Sequence, residues 1–176
     1  MPDLIDTRMP TFAGVPFQQG WGDLELWEHF LSRHPVRSLV ELGTGQGGMA
    51  IFFATQALAR GADYSTFDRE KLYGDDVART LDRLGAHCHR IELFEQPDLV
   101  RGVLLAQRKP LLLFCDDGDK PREVRTFASS LAAGDYLAVH DWNAEIRASD
   151  IPPMLEELLG PECDALGSIT RFFRVR

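Results

Sequence analysis

At 176 residues the chain has the length of one domain, large enough to bury roughly 70% of its extended surface without staples. A formal charge of −8 at pH 7 argues against a duplex DNA or RNA backbone as the main partner, because phosphate binding needs a basic stripe, and Arg79, Arg83 and Arg90 read as solvated surface. Cys88, Cys115 and Cys163 are odd in number and lack C-x-x-C spacing, so neither a disulfide frame nor metal ligation is expected of them. With no eighteen-residue apolar span and no basic-then-apolar leader, no membrane helix or secretory signal is expected, and the expected compartment is the cytoplasm.

A Pro-punctuated segment runs to about Gly22. Leu24, Leu26, Trp27, Phe30 and Leu31 then recur at helical spacing and predict an amphipathic helix ending near His34-Pro35. Beyond it, short apolar runs predict strands at 38–42, 64–67, 88–94, 111–115 and 136–139, alternating with helical patterns at 49–59, 75–84, 97–107, 122–133 and a shorter one at 153–159. Such alternation specifies an α/β fold, a Rossmann-like doubly wound sheet of about six or seven strands. The sheet is mostly parallel with helices on both faces, and residues 170–176 are expected to close it as an antiparallel edge strand.

The run from Ser38 to Gly48 reads as a buried strand emptying into a glycine turn that opens a helix. Gly43, Gly45 and Gly47 lack Cβ atoms, so the backbone can turn with positive φ and a ligand can approach its N–H groups, with Thr44 in the same turn. Four glycines in six residues weaken a helix start for no packing gain unless something sits there. Glu41, two residues before the first glycine, needs a donor or a cation, and the methionyl ammonium of S-adenosylmethionine is such a cation. Gly43, Gly45 and Gly48 also satisfy the G-x-G-x-x-G fingerprint of dinucleotide folds, although the chain leaves little room for the substrate domain most dehydrogenases add.

In open parallel sheets, ligands bind beyond the carboxyl ends of the strands, and each predicted parallel strand here ends in an acid or a polar group. Asp68 is placed to accept ribose hydroxyls, or else to cap a helix. Glu95, after the third strand, can accept from an adenine amino group while Phe94 covers the ring. Asp116, Asp117 and Asp119 crowd the end of the fourth strand, and Asp116 and Asp141 can face one another and hold Mg²⁺ through oxygen ligands, or else these acids cap helices. His140 is either a general base or a structural histidine, and His87 with His89 reads as structural.

The glycine loop, Asp68 and the acid-tipped fourth strand resemble a class I S-adenosylmethionine-dependent methyltransferase. More narrowly, Gly14-Val15-Pro16-Phe17-Gln18, Asp23, the Val40–Gly48 run, Asp116 to Lys120 and Tyr136–Asp141 resemble the cephalosporin hydroxylase family, whose members have the methyltransferase fold. The resemblance implies a single domain in which residues 1–36 pack on or cover the cofactor site and residues 37–176 form the cofactor-binding unit. It implies a pocket built from Glu41, Gly43, Gly45 and Asp68, Gln18 folding over the cofactor, and a metal site near Asp116 and Asp141. Metal-dependent relatives add a third acid or amide beside the counterpart of Asp141, where this chain has His140 and Trp142. The resemblance therefore leaves open a site in which two aspartates hold Mg²⁺ and a site that works without metal.

The expected activity is methyl transfer to oxygen of a small molecule, with Asp116 and Asp141 organising the acceptor and His140 as base. The rival readings are a nicotinamide-dependent oxidoreductase and a non-catalytic S-adenosylmethionine-binding subunit. Little sequence separates the last two predicted strands, so acceptor contacts are expected from the N-terminal segment, the loop after Asp141 or another subunit of a homo-oligomer.

Overall fold

A computed structural model describes residues 10–176, and the first nine residues of the Pro-punctuated segment lie outside the described residues. A two-strand antiparallel hairpin, β1 (Thr11–Phe12) and β2 (Val15–Pro16), precedes helix α1 (Trp21–Arg33). Strand β3 (Ser38–Leu42) then leads to α2 (Gly48–Arg60), β4 (Asp63–Asp68), α3 (Asp75–Arg83), β5 (His87–Arg90) and α4 (Pro97–Ala106). The second half comprises β6 (Leu111–Cys115), α5 (Lys120–Phe127), β7 (Tyr136–Val139), β8 (Leu155–Leu158), α6 (Gly160–Ala165) and β9 (Arg171–Val175).

The seven-strand sheet has the order β5-β4-β3-β6-β7-β9-β8, with the first five strands parallel and β9 antiparallel to both its neighbours. Strands β3 and β6 are buried along their whole length, as expected for interior parallel strands covered on both faces. One face packs Trp27, Phe30, Phe53, Phe114 and Phe172 beneath α1 and α2; the other packs Val100, Leu104, Val124 and Phe127 of α4 and α5 against β6 and β7. Trp27 is fully buried, with its ring centroid 4.7 Å from those of Phe53 and Phe172 and 4.9 Å from that of Phe114.

Three expectations need correction. The predicted helix at 153–159 is instead strand β8, whose Leu155 and Leu158 pair with Val175 and Phe172, so cross-strand pairing wins over a short helical spacing. The C-terminal strand consequently lies inside the sheet rather than at its edge, which accounts for the burial of both Phe172 and Phe173. Strand β5 stops at Arg90, because the Ile91 N–H still reaches the Asp68 carbonyl at 2.9 Å but the chain then turns, with the Glu95 and Gln96 N–H groups donating back to the Glu92 carbonyl. The turn shifts every side chain from 91 to 96 relative to a continued strand. The sequence pattern also missed α6 and the β1–β2 hairpin, and the helix expected at 122–133 starts earlier, at Lys120, and gives way to a 3₁₀ turn at Ala128–Ser130.

The aromatic packing on Trp27 sets a stability test. Trp27→Ala should destabilise the protein by about 3–5 kcal/mol in urea denaturation, the range for emptying a large buried aromatic site.

Candidate functional site

Strand order reverses between β3 and β6, and a cavity of about 480 Å³ opens there, beyond the carboxyl ends of β3, β4 and β6. That volume lies within the range of small-molecule sites, and the position is the crevice where open α/β sheets bind ligands. Its wall includes Pro16, Phe17 and Gln18 of the N-terminal segment, the turn from Gly43 to Met49, Asp68, Arg69 and Leu72, Glu92 and Phe94, and Asp116 to Asp119. Of the expected cofactor residues, Gln18, Gly43, Thr44, Gly45, Gly47, Asp68 and Asp116 are therefore brought together.

Packing explains three of the four glycines in the turn. A Cβ on Gly43 would overlap the Asp116 carbonyl, one on Gly47 would meet Val77 Cγ1 at 2.7 Å, and one on Gly48 would overlap the Pro16 carbonyl. The sequence reading that these glycines bring no packing gain is thus corrected. Gly45 differs, because its φ is +52° and nothing lies within 4 Å of an added Cβ, so it faces open cavity. Asp68 holds this turn: its Oδ2 accepts the Gly45 N–H at 2.9 Å while Oδ1 accepts the Glu70 N–H at 3.0 Å.

Two expected cofactor contacts lie elsewhere. Glu41 is buried within β3 rather than standing at the strand's mouth, where its Oε2 accepts the Tyr64 hydroxyl and the Thr66 hydroxyl at 2.8 Å. Its Oε1 has no partner, and burial pushes its pKa up to about 8. The Thr66 hydroxyl shares a 2.7 Å hydrogen bond with the Thr44 hydroxyl, which ties the turn to this buried group. Glu95 is exposed and off the cavity wall; the early end of β5 puts Glu92 there instead, beside Phe94, whose ring carries the Arg122 guanidinium 3.9 Å from its centroid.

The acid-tipped ends of β6 and β7 meet as expected, and they meet around a lysine. Lys120 is buried, with Nζ 2.6 Å from Asp141 Oδ2, 3.2 Å from Glu145 Oε2 and 3.7 Å from Asp116 Oδ1. Burial alone would lower the Lys120 pKa, but the Asp141 hydrogen bond and the Asp116 and Glu145 carboxylates outweigh it and hold the pKa above the ordinary lysine value. His140 Nδ1 lies 3.2 Å from Asp116 Oδ1 and 3.4 Å from Asp141 Oδ1, while its Nε2 is buried without a partner. Burial opposes the charge on His140, yet the Asp116 hydrogen bond and the Asp116, Asp141 and Asp23 carboxylates raise its pKa overall. Asp141 adopts a left-handed φ of 57°, an uncommon conformation that aspartate tolerates better than most residues. His140 does not reach the cavity wall. It stands behind Asp116, whose Oδ2 accepts the Gln19 side-chain N–H at 3.2 Å, and Gln19 Oε1 in turn accepts the Trp27 indole N–H at 3.2 Å.

The capping role of Asp119 is real, since its Oδ1 accepts the Arg122 N–H at 3.1 Å. Glu123, fully buried, accepts the N–H groups of Asp117 and Asp119 at 3.2 Å each. His89 stacks on Phe67 at 4.5 Å, a packing role. Sequence reasoning assigned no role to Gln19, Lys120, Glu123 or Glu145. The one local signal was the four-residue spacing of Asp116 and Lys120.

No protein-family model matches the chain, and no curated protein matches it by sequence. Solved structures do match by shape. CmcI-N160 with SAH superposes with a TM-score of 0.74 at 17% identity, over 97% of this chain and 84% of that one. Cofactor-bound Rv0187 from MTB gives 0.62 at 17% identity, over 93% and 84%. CmcI-D160 with Mg and SAM gives 0.58 at 19% identity, over 75% and 57%. The chain has their fold. The Rossmann-like seven-strand sheet with an antiparallel C-terminal strand is the shared feature, and it agrees with the fold expected from the sequence. Among the described residues no helix is long and apolar enough to cross a membrane.

Glu123 gives this end of the sheet a pH signature. Burial and the neighbouring Asp117 carboxylate raise its pKa to about 8, so between about 4.5 and 8 the folded state keeps a proton that the unfolded chain releases, and stability falls as pH rises through that window. Glu123→Gln keeps an acceptor for both N–H groups and removes the titration. In thermal denaturation its Tm should exceed the wild-type value near pH 9, with the gap closing near pH 5.

Proposed function

We propose that the chain is an S-adenosylmethionine-dependent methyltransferase acting on an oxygen of a small-molecule acceptor. The observation that carries this reading is the switch-point cavity in which Asp68 pins the Gly45 N–H while Gly45 itself faces open space, a cradle that any side chain would fill. CmcI-N160, which shares the fold, holds SAH, and CmcI-D160 holds SAM with Mg.

Bound there, the cofactor supplies an electrophilic methyl group for in-line displacement, in which the carbon–sulfur bond breaks, a carbon–oxygen bond forms and the sulfonium becomes a neutral thioether. The chain's own residues then have separable tasks. Asp68 accepts the ribose hydroxyls with the lone pairs that Gly45 and Glu70 leave free, and Phe94 covers the adenine from the cavity wall. Asp116, on the cavity wall, receives the acceptor O–H as a hydrogen bond and takes its proton as oxygen is alkylated, while His140 behind it donates its Nδ1–H to the other carboxylate oxygen and so orients Asp116 rather than acting as the base. Gln19 keeps Asp116 in place for this.

Mg²⁺ is a poorer fit to these residues. Asp116, His140 and Asp141 each offer a ligand atom, all within 4.8 Å of one another, but imidazole suits a hard ion badly and the Lys120 ammonium is already bonded to Asp141. We assign no step to a metal. We place the protein in the cytoplasm, a reading supported by three free thiols, two of them buried.

Calorimetry with S-adenosylmethionine, SAH and NAD tests the reading. Asp68→Ala should weaken S-adenosylmethionine binding by about 1.5–3 kcal/mol, the scale of charge-assisted hydrogen bonds to a buried ligand. Gly45→Val should abolish it while the circular dichroism spectrum stays native, and saturable NAD binding without S-adenosylmethionine binding would overturn the proposal.

A further inference from the structure

We infer that Lys120 is the resident cation of the acceptor rim, its ammonium standing where a divalent ion would bridge Asp116 and Asp141. The role rests on the methyltransferase reading, but the geometry is independent of it.

Lys120 is the first residue of α5, where the positive end of the helix dipole disfavours a cation and where acids are the usual choice. Its long stem could carry the ammonium to solvent, as lysines near surfaces ordinarily do. It is buried instead, and its ammonium meets three carboxylates from two different strand ends: Asp116 after β6, and Asp141 with Glu145 after β7. A lysine is kept in so adverse a place by the negative charge gathered there, and that charge is what a metal site would offer. A Mg²⁺ ion shared by Asp116 and Asp141 would lie within a few ångströms of the ammonium and be repelled by it. The ion would have to displace Lys120, and the ligands left to it include one imidazole where Mg²⁺ calls for oxygen.

Lys120 is thus a positioning residue. It acts through Asp141, which it holds by a 2.6 Å charge-assisted hydrogen bond in the left-handed turn, and through Asp116, which faces the cavity. Part of the rim's negative charge is thus offset by the fold itself, without a bound ion.

Removing the lysine should uncover the cation site it fills. Mn²⁺ is the probe, followed by the loss of its free-ion electron paramagnetic resonance signal, because it accepts carboxylate and imidazole together. The wild-type protein should leave the Mn²⁺ signal free, whereas Lys120→Gln should take up one equivalent at least about tenfold more tightly, with the gain lost in Lys120→Gln/Asp141→Asn and absent from Lys120→Arg. Stoichiometric Mn²⁺ binding by the wild type that Asp141→Asn removes would overturn the inference, and so would a folded Lys120→Gln that gains no affinity. Should Lys120→Gln not fold, the wild-type arm decides: binding removed by Asp141→Asn overturns the inference and its absence supports it. Calorimetry with S-adenosylmethionine on the same samples reports separately on the cofactor reading, so failure of one is not mistaken for failure of the other.

Discussion

The constraint on which the cavity depends is the approach of Gly43 to the backbone of Asp116, where no Cβ fits. It is the consequence of stitching at the point where strand order reverses: the Gly43 N–H donates to the Phe67 carbonyl at 2.8 Å, and the Asp116 N–H donates to the Leu42 carbonyl at 2.9 Å. The glycine turn is thereby fixed to both neighbouring strands before its first residue leaves the sheet. From that anchor the turn can rise only into the crevice, Asp68 captures it through Gly45, and the cavity opens between Asp68 on one side and Asp116 on the other. A side chain at position 43 would push β3 and β6 apart at the one place where the wall must be continuous.

Buried charge is distributed unevenly along the strands, and the unevenness separates structure from function. At the amino ends, Asp135 is buried, yet its oxygens accept the Leu111 and Ala132 N–H groups at 2.8 Å each and the Lys109 ammonium at 2.5 Å. Every demand it makes is met, as a purely architectural group requires. Toward the carboxyl ends, Glu41 Oε1, Glu123 Oε2 and His140 Nε2 are buried without partners, three of the six such side-chain atoms among the described residues. Unmet hydrogen-bonding capacity is costly, and half of it lies at the end of the sheet that carries the cavity, behind the wall rather than on it.

The alternation of apolar runs and helical patterns made the doubly wound sheet legible, because interior parallel strands such as Leu111–Cys115 have to be apolar on both faces. Asp116 was legible for the same reason, as the first polar residue after such a run, and Asp68 as the acid that follows the predicted strand at 64–67. What failed were positions decided by pairing at a distance. Leu155 and Leu158 satisfy helical spacing as well as strand pairing, and only the presence of β9 beside them settles the matter. A strand continuing to Phe94 would bring Glu95 to the rim, whereas β5 stops at Arg90 and Glu92 lines the cavity in its place. Lys120 could be seen four residues from Asp116, but Asp141 and Glu145 join it only because β6 and β7 are neighbours.

Gln19 shows how far the hydrophobic core reaches into the site. Its amide is oriented by the Trp27 indole N–H on one side and presents its own N–H to Asp116 on the other, while Trp27 is locked by Phe53, Phe114 and Phe172. Asp116 is then held from three directions: by Gln19 at Oδ2, and by His140 and the Lys120 ammonium at Oδ1. A carboxylate with one free rotamer costs little to place when the transition state forms, because its orientation has been fixed by folding. The methyl transfer proposed above makes few demands on bond chemistry and heavy ones on alignment, so under that proposal an aromatic core that ends in an oriented acid is a direct route from packing to rate.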